Sequence, residues 1–269
     1  MENTCINCGQ PITNKFCSNC GQRAGVKRIT FREGWNDFWA RIYGFDGMFP
    51  RTLKYLTIRP GQAAKIFLAG NRARYYGPVG YFFLMITLFL LALSLLGIDV
   101  VEFMKSIGDT TRPTGSIKVG SPQEKLMTDT MRVVTENLKL VSLIYIPFQA
   151  FASRFIFFRH SGYNFVEHCV LPLYLQGHVY WLSILSAVIF KILGTFDFNF
   201  VVLLISLVYV PFGYMNFFSN QPKVKAFFKG LGIYISAQLL FSLLVIIIVV
   251  ILLFTNSEFY ETLRPSNNR

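Results

Sequence analysis

The sequence predicts an all-α polytopic membrane protein of about five transmembrane helices with a cytoplasmic N-terminus, preceded by a small cysteine ribbon and amphipathic interfacial helices. Three observations predict it. The 269-residue chain is 53% hydrophobic and 16% aromatic with a mean hydropathy of +0.44, too apolar for a soluble domain of that length. From residue 79 onward it is built of long apolar runs with few charges. Its cations are unevenly placed: twelve Lys and Arg against four acidic residues in 1–78, but five against six in 99–137. A net charge of +12 would suggest nucleic acid in a soluble chain; in an apolar one it sets orientation.

The first element is a pair of knuckles, Cys5-Ile6-Asn7-Cys8-Gly9 and Cys17-Ser18-Asn19-Cys20-Gly21. Each places two thiolates on one tight turn, with a glycine behind it that tolerates positive φ, so together they offer Cys5, Cys8, Cys17 and Cys20 to one tetrahedral Zn²⁺. The stretch from Gly9 to Asn14 suffices for the connecting hairpin. So short a segment, residues 1–25, is expected to fold only around its metal. Two disulfides would need an oxidising compartment, which the lack of a secretory signal before Cys5 and the basic N-terminal region argue against. Four thiolates leave zinc no open position, so the ribbon reads as structural or protein-docking.

Residues 30–78 form the second region. Thr30-Phe31-Arg32-Glu33 is a capping box, after which Phe31, Trp35, Phe38 and Ile42 recur on one helical face. Beyond Gly44-Phe45-Asp46-Gly47 comes a short helix bearing Leu53, Tyr55 and Leu56, and Pro60-Gly61 starts another with Ile66, Phe67 and Leu68. Lys54, Arg59, Lys65, Arg72 and Arg74 surround these apolar faces, and Tyr75-Tyr76 precede the first span. Basic flanks and an aromatic belt suit helices lying in the cytoplasmic headgroup layer against anionic lipid.

Five spans follow in residues 79–254: Val79 to Ile98, Leu138 to Phe158, Val170 to Leu193, Phe200 to Phe218 and Leu231 to Phe254, each long enough to cross ~30 Å of hydrocarbon. The basic N-terminal region, Arg154 with Arg159, and Lys223, Lys225 and Lys229 then share the cytoplasmic side. The loop 99–137 and the tail 255–269 fall outside, that loop reading as a mobile connection flanked by short helices. Pro147, Pro172 and Pro211 lie inside spans and are expected to bend them.

The two knuckles ending in Cys20-Gly21-Gln22, with Phe45-Asp46-Gly47, Arg51-Thr52-Leu53, Arg59-Pro60-Gly61, Gly70-Asn71-Arg72 and Tyr75-Tyr76-Gly77-Pro78, resemble a family of bacterial membrane proteins of unknown function, common in Bacteroidetes. The resemblance implies a zinc ribbon fused to a multipass domain in the inner membrane, and supplies no reaction or substrate. Five spans with an inside N-terminus are also similar in architecture to the Yip-type membrane proteins of trafficking pathways.

Polar groups inside the spans are few. Glu167, His168 and Cys169 stand at the entry of the third span, with Gln176 and His178 further along. Glu167 and His178 share a face but lie ~16 Å apart along the axis, too far to bind one metal. His178 is expected to bond a serine or a carbonyl freed by proline, Glu167 to pair with Arg154 or Arg159, and Cys169 to pack as a small hydrophobe. No metalloprotease, nucleophile-elbow, phosphate-loop or dinucleotide signature occurs, and His160, His168 and His178 are too scattered for a catalytic metal. With Lys15 and Arg23 alone beside it, the ribbon does not read as nucleic-acid binding.

These readings converge on a non-enzymatic protein whose ribbon and basic collar form a cytoplasmic docking surface for a partner protein or for anionic lipid, through Phe31, Trp35, Phe38, Arg59, Arg72 and Arg74. A transporter using the kinked spans and a path along Glu167, Gln176 and His178 is the alternative.

Overall fold

The computed structural model of the chain describes residues 4–5, 7–21, 48–71, 74–101, 103, 122–193 and 197–255. It divides into two compact units, Met1–Asp46 and Gly47–Arg269. In the first unit the described residues form the two knuckles, the first of them flanked by an antiparallel bridge between Thr4 and Pro11. The amphipathic helix expected around Phe31, Trp35 and Phe38 lies outside the described residues, as does Arg72.

The second unit is built of helices joined by short connections, with no strand among its described residues. Helix α1 (Met48–Ile58) buries Phe49, Thr52 and Leu56, a spacing that fits one helical face. It stops before Arg59-Pro60, because the residue ahead of a proline is pushed out of the α region. Helix α2 (Gln62–Leu68) starts not at Pro60, as expected, but after Gly61, which adopts φ 90°. Gly61 is doubly required, since a Cβ there would also sit 2.2 Å from the Gly213 carbonyl oxygen. Helix α3 (Pro78–Leu96) has proline in its first turn and ends at Gly97, φ 66°, where Ile98 N–H reaches Leu93 O at 3.0 Å and Gly97 N–H reaches Ser94 O at 3.1 Å, the Schellman closure.

Helix α4 (Pro122–Glu136) occupies part of the segment read as an outer loop, beginning on the proline that serves as a first-turn residue. Helix α5 (Leu138–Phe151) contains Pro147 and runs into a π-helical segment, Ala152–Phe157. Helix α6 (Phe165–Leu193) contains Pro172, α7 (Asp197–Phe217) contains Pro211, and α8 spans Lys223–Thr255. Among the described residues, four segments are long and apolar enough to cross a membrane: Pro78–Leu96, Leu138–Phe157, Phe165–Leu193 and Lys223–Ile248. The fifth expected span coincides with α7, within which Leu204–Phe217 is a shorter apolar stretch.

Side-chain pairs fix the helix directions. Tyr81 meets His178 while Phe82 and Phe89 meet Tyr180, so α3 and α6 run parallel. Ser142 meets Tyr180 and Ser153 meets His168, so α5 runs against α6. Tyr209 stacks on His178 and Phe218 on His168, so α7 also runs against α6. Gly230 lies against Pro211 and Tyr214, bringing the start of α8 to the end of α7. The close α3–α6 approach depends on Gly177, where a Cβ would lie 3.0 Å from Tyr81 and 3.1 Å from the Phe82 backbone. The bundle perimeter is apolar, with Leu91, Leu95, Ile144, Ile192, Leu239 and Ile246 exposed, while Ser142, Gln149, His178 and Ser186 are buried. That inversion is what lipid, rather than water, asks of a surface. The N-terminal ends of α3, α6 and α8 and the C-terminal ends of α5 and α7 therefore gather at one end of the bundle, where α1 and α2 also pack.

Candidate metal centre and basic interfacial face

In the first unit each knuckle closes on itself: Gly9 N–H donates to Cys5 O at 2.8 Å and Gly21 N–H to Cys17 O at 2.9 Å. Both glycines hold positive φ, 71° and 74°, which turns the chain so that both sulfurs of a knuckle face the same point. Cys5 N–H donates to Gln10 O at 2.8 Å, locking the first turn onto the connecting loop. The four Sγ atoms all lie within 4.8 Å of one another, with Cys5 and Cys20 3.5 Å apart and Cys8 and Cys17 3.6 Å apart. All four are free cysteines, and a metal with sulfurs at ~2.3 Å on tetrahedral corners would space them by nearly this much. The donor set fits one metal ion. Backbone N–H groups of Cys20 and Asn19 aim at Cys17 and hold its thiol below the usual range, as a metal ligand requires. Cys8 is pushed up to about 11: the Gln10 backbone pulls it down, but the Cys20 and Cys17 thiols and desolvation raise it further.

In the second unit the structure places His178 where α1, α3, α6 and α7 meet, 1% exposed. Its Nδ1 lies 3.0 Å from the Tyr81 hydroxyl and its Nε2 3.2 Å from Thr57 Oγ1. Thr57 already donates its proton to Leu53 O at 2.8 Å, so it must accept from Nε2–H, leaving Nδ1 to accept from Tyr81. Tyr209, stacked on the ring at 5.3 Å, donates to Leu56 O at 3.0 Å. The expected serine or proline-freed carbonyl is thus replaced by hydroxyls from two other helices. His178 ties the tip of α1 into the bundle.

Glu167 pairs with neither Arg154 nor Arg159. Its carboxylate accepts from Asn164 N–H at 2.7 Å and Asn164 Oδ1 accepts from Glu167 N–H at 2.9 Å, a reciprocal capping box starting α6. Arg154 instead donates to the Arg159 carbonyl at 2.7 Å. His168 bonds Ser153 Oγ at 2.8 Å through Nδ1 and Ser161 Oγ at 3.0 Å through Nε2, fastening the connecting turn to the π segment. His160 lies beside Arg159 at 3.0 Å. Glu167, His168 and His160 therefore do not converge on a metal. Gln176 is within reach of Tyr180, which also meets Ser142. Both nitrogens of His178 are committed to protein hydroxyls, so the path proposed through Glu167, Gln176 and His178 contains no unengaged imidazole. Cys169 is half-buried, its thiol directed at Phe165 O at 3.5 Å.

The collar end of the bundle is basic. Arg51, Lys54, Arg59, Arg74, Arg159, Lys223 and Lys225 are exposed there, and Lys65 reaches Ser219 on the turn after α7. Among the described residues of this end, Glu167 is the one carboxylate, and it is engaged in its cap. Thr52 Oγ1 accepts from Tyr76 N–H at 2.8 Å and Tyr174 donates to Tyr76 O at 2.6 Å, which pins the segment ahead of α3 to both α1 and α6.

Sequence reasoning missed Thr57, Tyr81 and Tyr209, since partners 97 and 121 residues from His178 leave no local trace. The Asn164 cap was legible: asparagine three residues before glutamate at a helix start is a capping pattern. A family profile described as "Protein of unknown function (DUF3667)" matches residues 46–90, which hold α1, α2 and the first two thirds of α3. Neither the curated proteins nor the solved structures gave a match.

Proposed function

We propose that this chain is a non-enzymatic inner-membrane protein whose zinc ribbon and basic collar form a cytoplasmic docking surface for anionic lipid. The observation that carries the reading is the charge at the collar end, where cations surround a helical hairpin seated on an apolar bundle and the nearby carboxylate is spent on a cap. Each such cation near an anionic surface contributes ~1 kcal/mol. The engagement of His168 and His178 by hydroxyls favours this over a transport path.

Zinc is the ion proposed for the four thiolates, since an all-cysteine tetrahedron suits a metal with no geometric preference of its own. Such a site is closed to substrate and acts by holding the ribbon in shape. Positive charge favours the cytoplasm for the collar end. With α7 counted as a crossing, the bundle has five and the C-terminus lies in the periplasm.

Native mass spectrometry of the purified full chain, titrated with phosphatidylglycerol or phosphatidylcholine, tests both parts. One zinc per chain is expected, with the anionic lipid retained several-fold more than the zwitterionic one and the preference shrinking as ionic strength rises. Equal retention of the two lipids would overturn lipid docking, and a metal-free chain with its cysteines intact would overturn the ribbon.

A further inference from the structure

We propose that Arg51, Tyr55, Arg74 and Tyr75 form a discrete binding site for the phosphate of an anionic glycerophospholipid. The assignment rests on the lipid-docking reading and narrows it to four side chains.

Tyr75 is 1% exposed, and its hydroxyl reaches no hydrogen-bond partner. A buried phenol without a partner is uncommon and costly, and calls for an acceptor. Burial raises its ionisation above the ordinary range, Arg74 and Arg51 pull the other way, and the neighbouring Tyr55 hydroxyl adds to the rise, so the Tyr75 hydroxyl remains a donor at neutral pH. The Tyr55 ring packs edge-on against it at 5.3 Å. The Arg74 guanidinium lies across both rings, 5.7 Å from Tyr55 and 5.6 Å from Tyr75, with one long bond of 3.4 Å to the Tyr55 hydroxyl. Arg51 reaches the Arg74 carbonyl at 3.5 Å, also long.

Two guanidiniums held by such weak contacts keep most of their ten N–H donors to spare. A phosphate diester offers acceptor oxygens and no donor, the complement of this set, and exchanges the long contacts for short charge-assisted ones. As Arg74 turns from the rings toward the anion, the Tyr75 hydroxyl gains its missing acceptor. The location selects the source of the phosphate. Tyr75 and Tyr76 lie three and two residues ahead of Pro78, the first residue of a membrane-length apolar helix, and the bonds to Thr52 and Tyr174 fix that segment in advance of binding. A headgroup phosphate sits at this depth.

The test is native mass spectrometry of the full-length zinc-bound chain with phosphatidylglycerol, comparing wild type with Arg74→Gln, Tyr75→Phe and a Lys139→Gln/Lys191→Gln control at the opposite end of the bundle, outside the collar. Retention should fall about tenfold in Arg74→Gln and severalfold in Tyr75→Phe, with the control near wild type. The Tyr75→Phe thermal midpoint should change by no more than about a degree, because the lost hydroxyl makes no hydrogen bond of normal geometry within the protein. If wild type prefers the anionic lipid and the two site variants match it, or the control falls as far as they do, this site is overturned while lipid docking stands. A wild type without lipid preference overturns both. Displacement of the lipid by millimolar glycerol phosphate would overturn the lipid as source in favour of a soluble phosphate ester.

Discussion

Single side chains decide the chemistry of the ribbon. Gly9 and Gly21 turn the chain so that four sulfurs face one point, and the N–H groups of Asn19 and Cys20 favour the Cys17 thiolate. Metal binding must expel the remaining thiol protons, including that of Cys8 at about 11. Because the bound state holds fewer protons than the free one, affinity is greatest at high pH and falls as pH drops. Zinc affinity measured against a competing chelator at pH 6, 7 and 8 is expected to change by more than about tenfold per pH unit, since more than one proton leaves. A pH-independent affinity would mean that the cysteines are not the ligands. The four-cysteine cluster was legible in the sequence, because knuckle spacing is local, whereas the N–H groups that act on Cys17 became visible only in the folded turn.

At the scale of elements, the α1–α2 hairpin is held by contacts the sequence could not display. Its apolar spacing was readable, but Thr57 to His178 and Leu56 to Tyr209 join residues more than a hundred positions apart. The turn at Pro60-Gly61 illustrates the difference. Proline suggested a helix start, whereas the packing of α7 against Gly61 placed it two residues later. Gly61→Ala should therefore do more than strain a left-handed residue: it drives a methyl into the Gly213 carbonyl, at a cost of at least ~2 kcal/mol. The expected outcome is a thermal midpoint in detergent several degrees lower and faster amide exchange at α1 and α2, with zinc retained in the other unit. Wild-type exchange in α1 and α2 would show that the hairpin does not need that close approach.

Over the whole molecule, the helices long enough to span were legible from hydropathy alone, because an apolar perimeter needs no tertiary information. Their true lengths were not. Helices α6 and α8 start five and eight residues before the expected Val170 and Leu231, since polar first turns such as Asn164-Phe165-Val166-Glu167 are stabilised by caps rather than by lipid. The polar interior around His168 and His178 was foreseen as a set of residues and not as a set of bonds. What unites the account is a single basic end, assembled from five helix termini and the hairpin, which we propose faces the cytoplasm. Side-specific labelling tests this most directly. In a Cys169→Ala background with the knuckles left intact, His160→Cys marks the collar end and Asp129→Cys the opposite end. In spheroplasts, an impermeant maleimide should modify Asp129→Cys at once and His160→Cys only after lysis; the reverse pattern would put the basic end outside and contradict cytoplasmic docking.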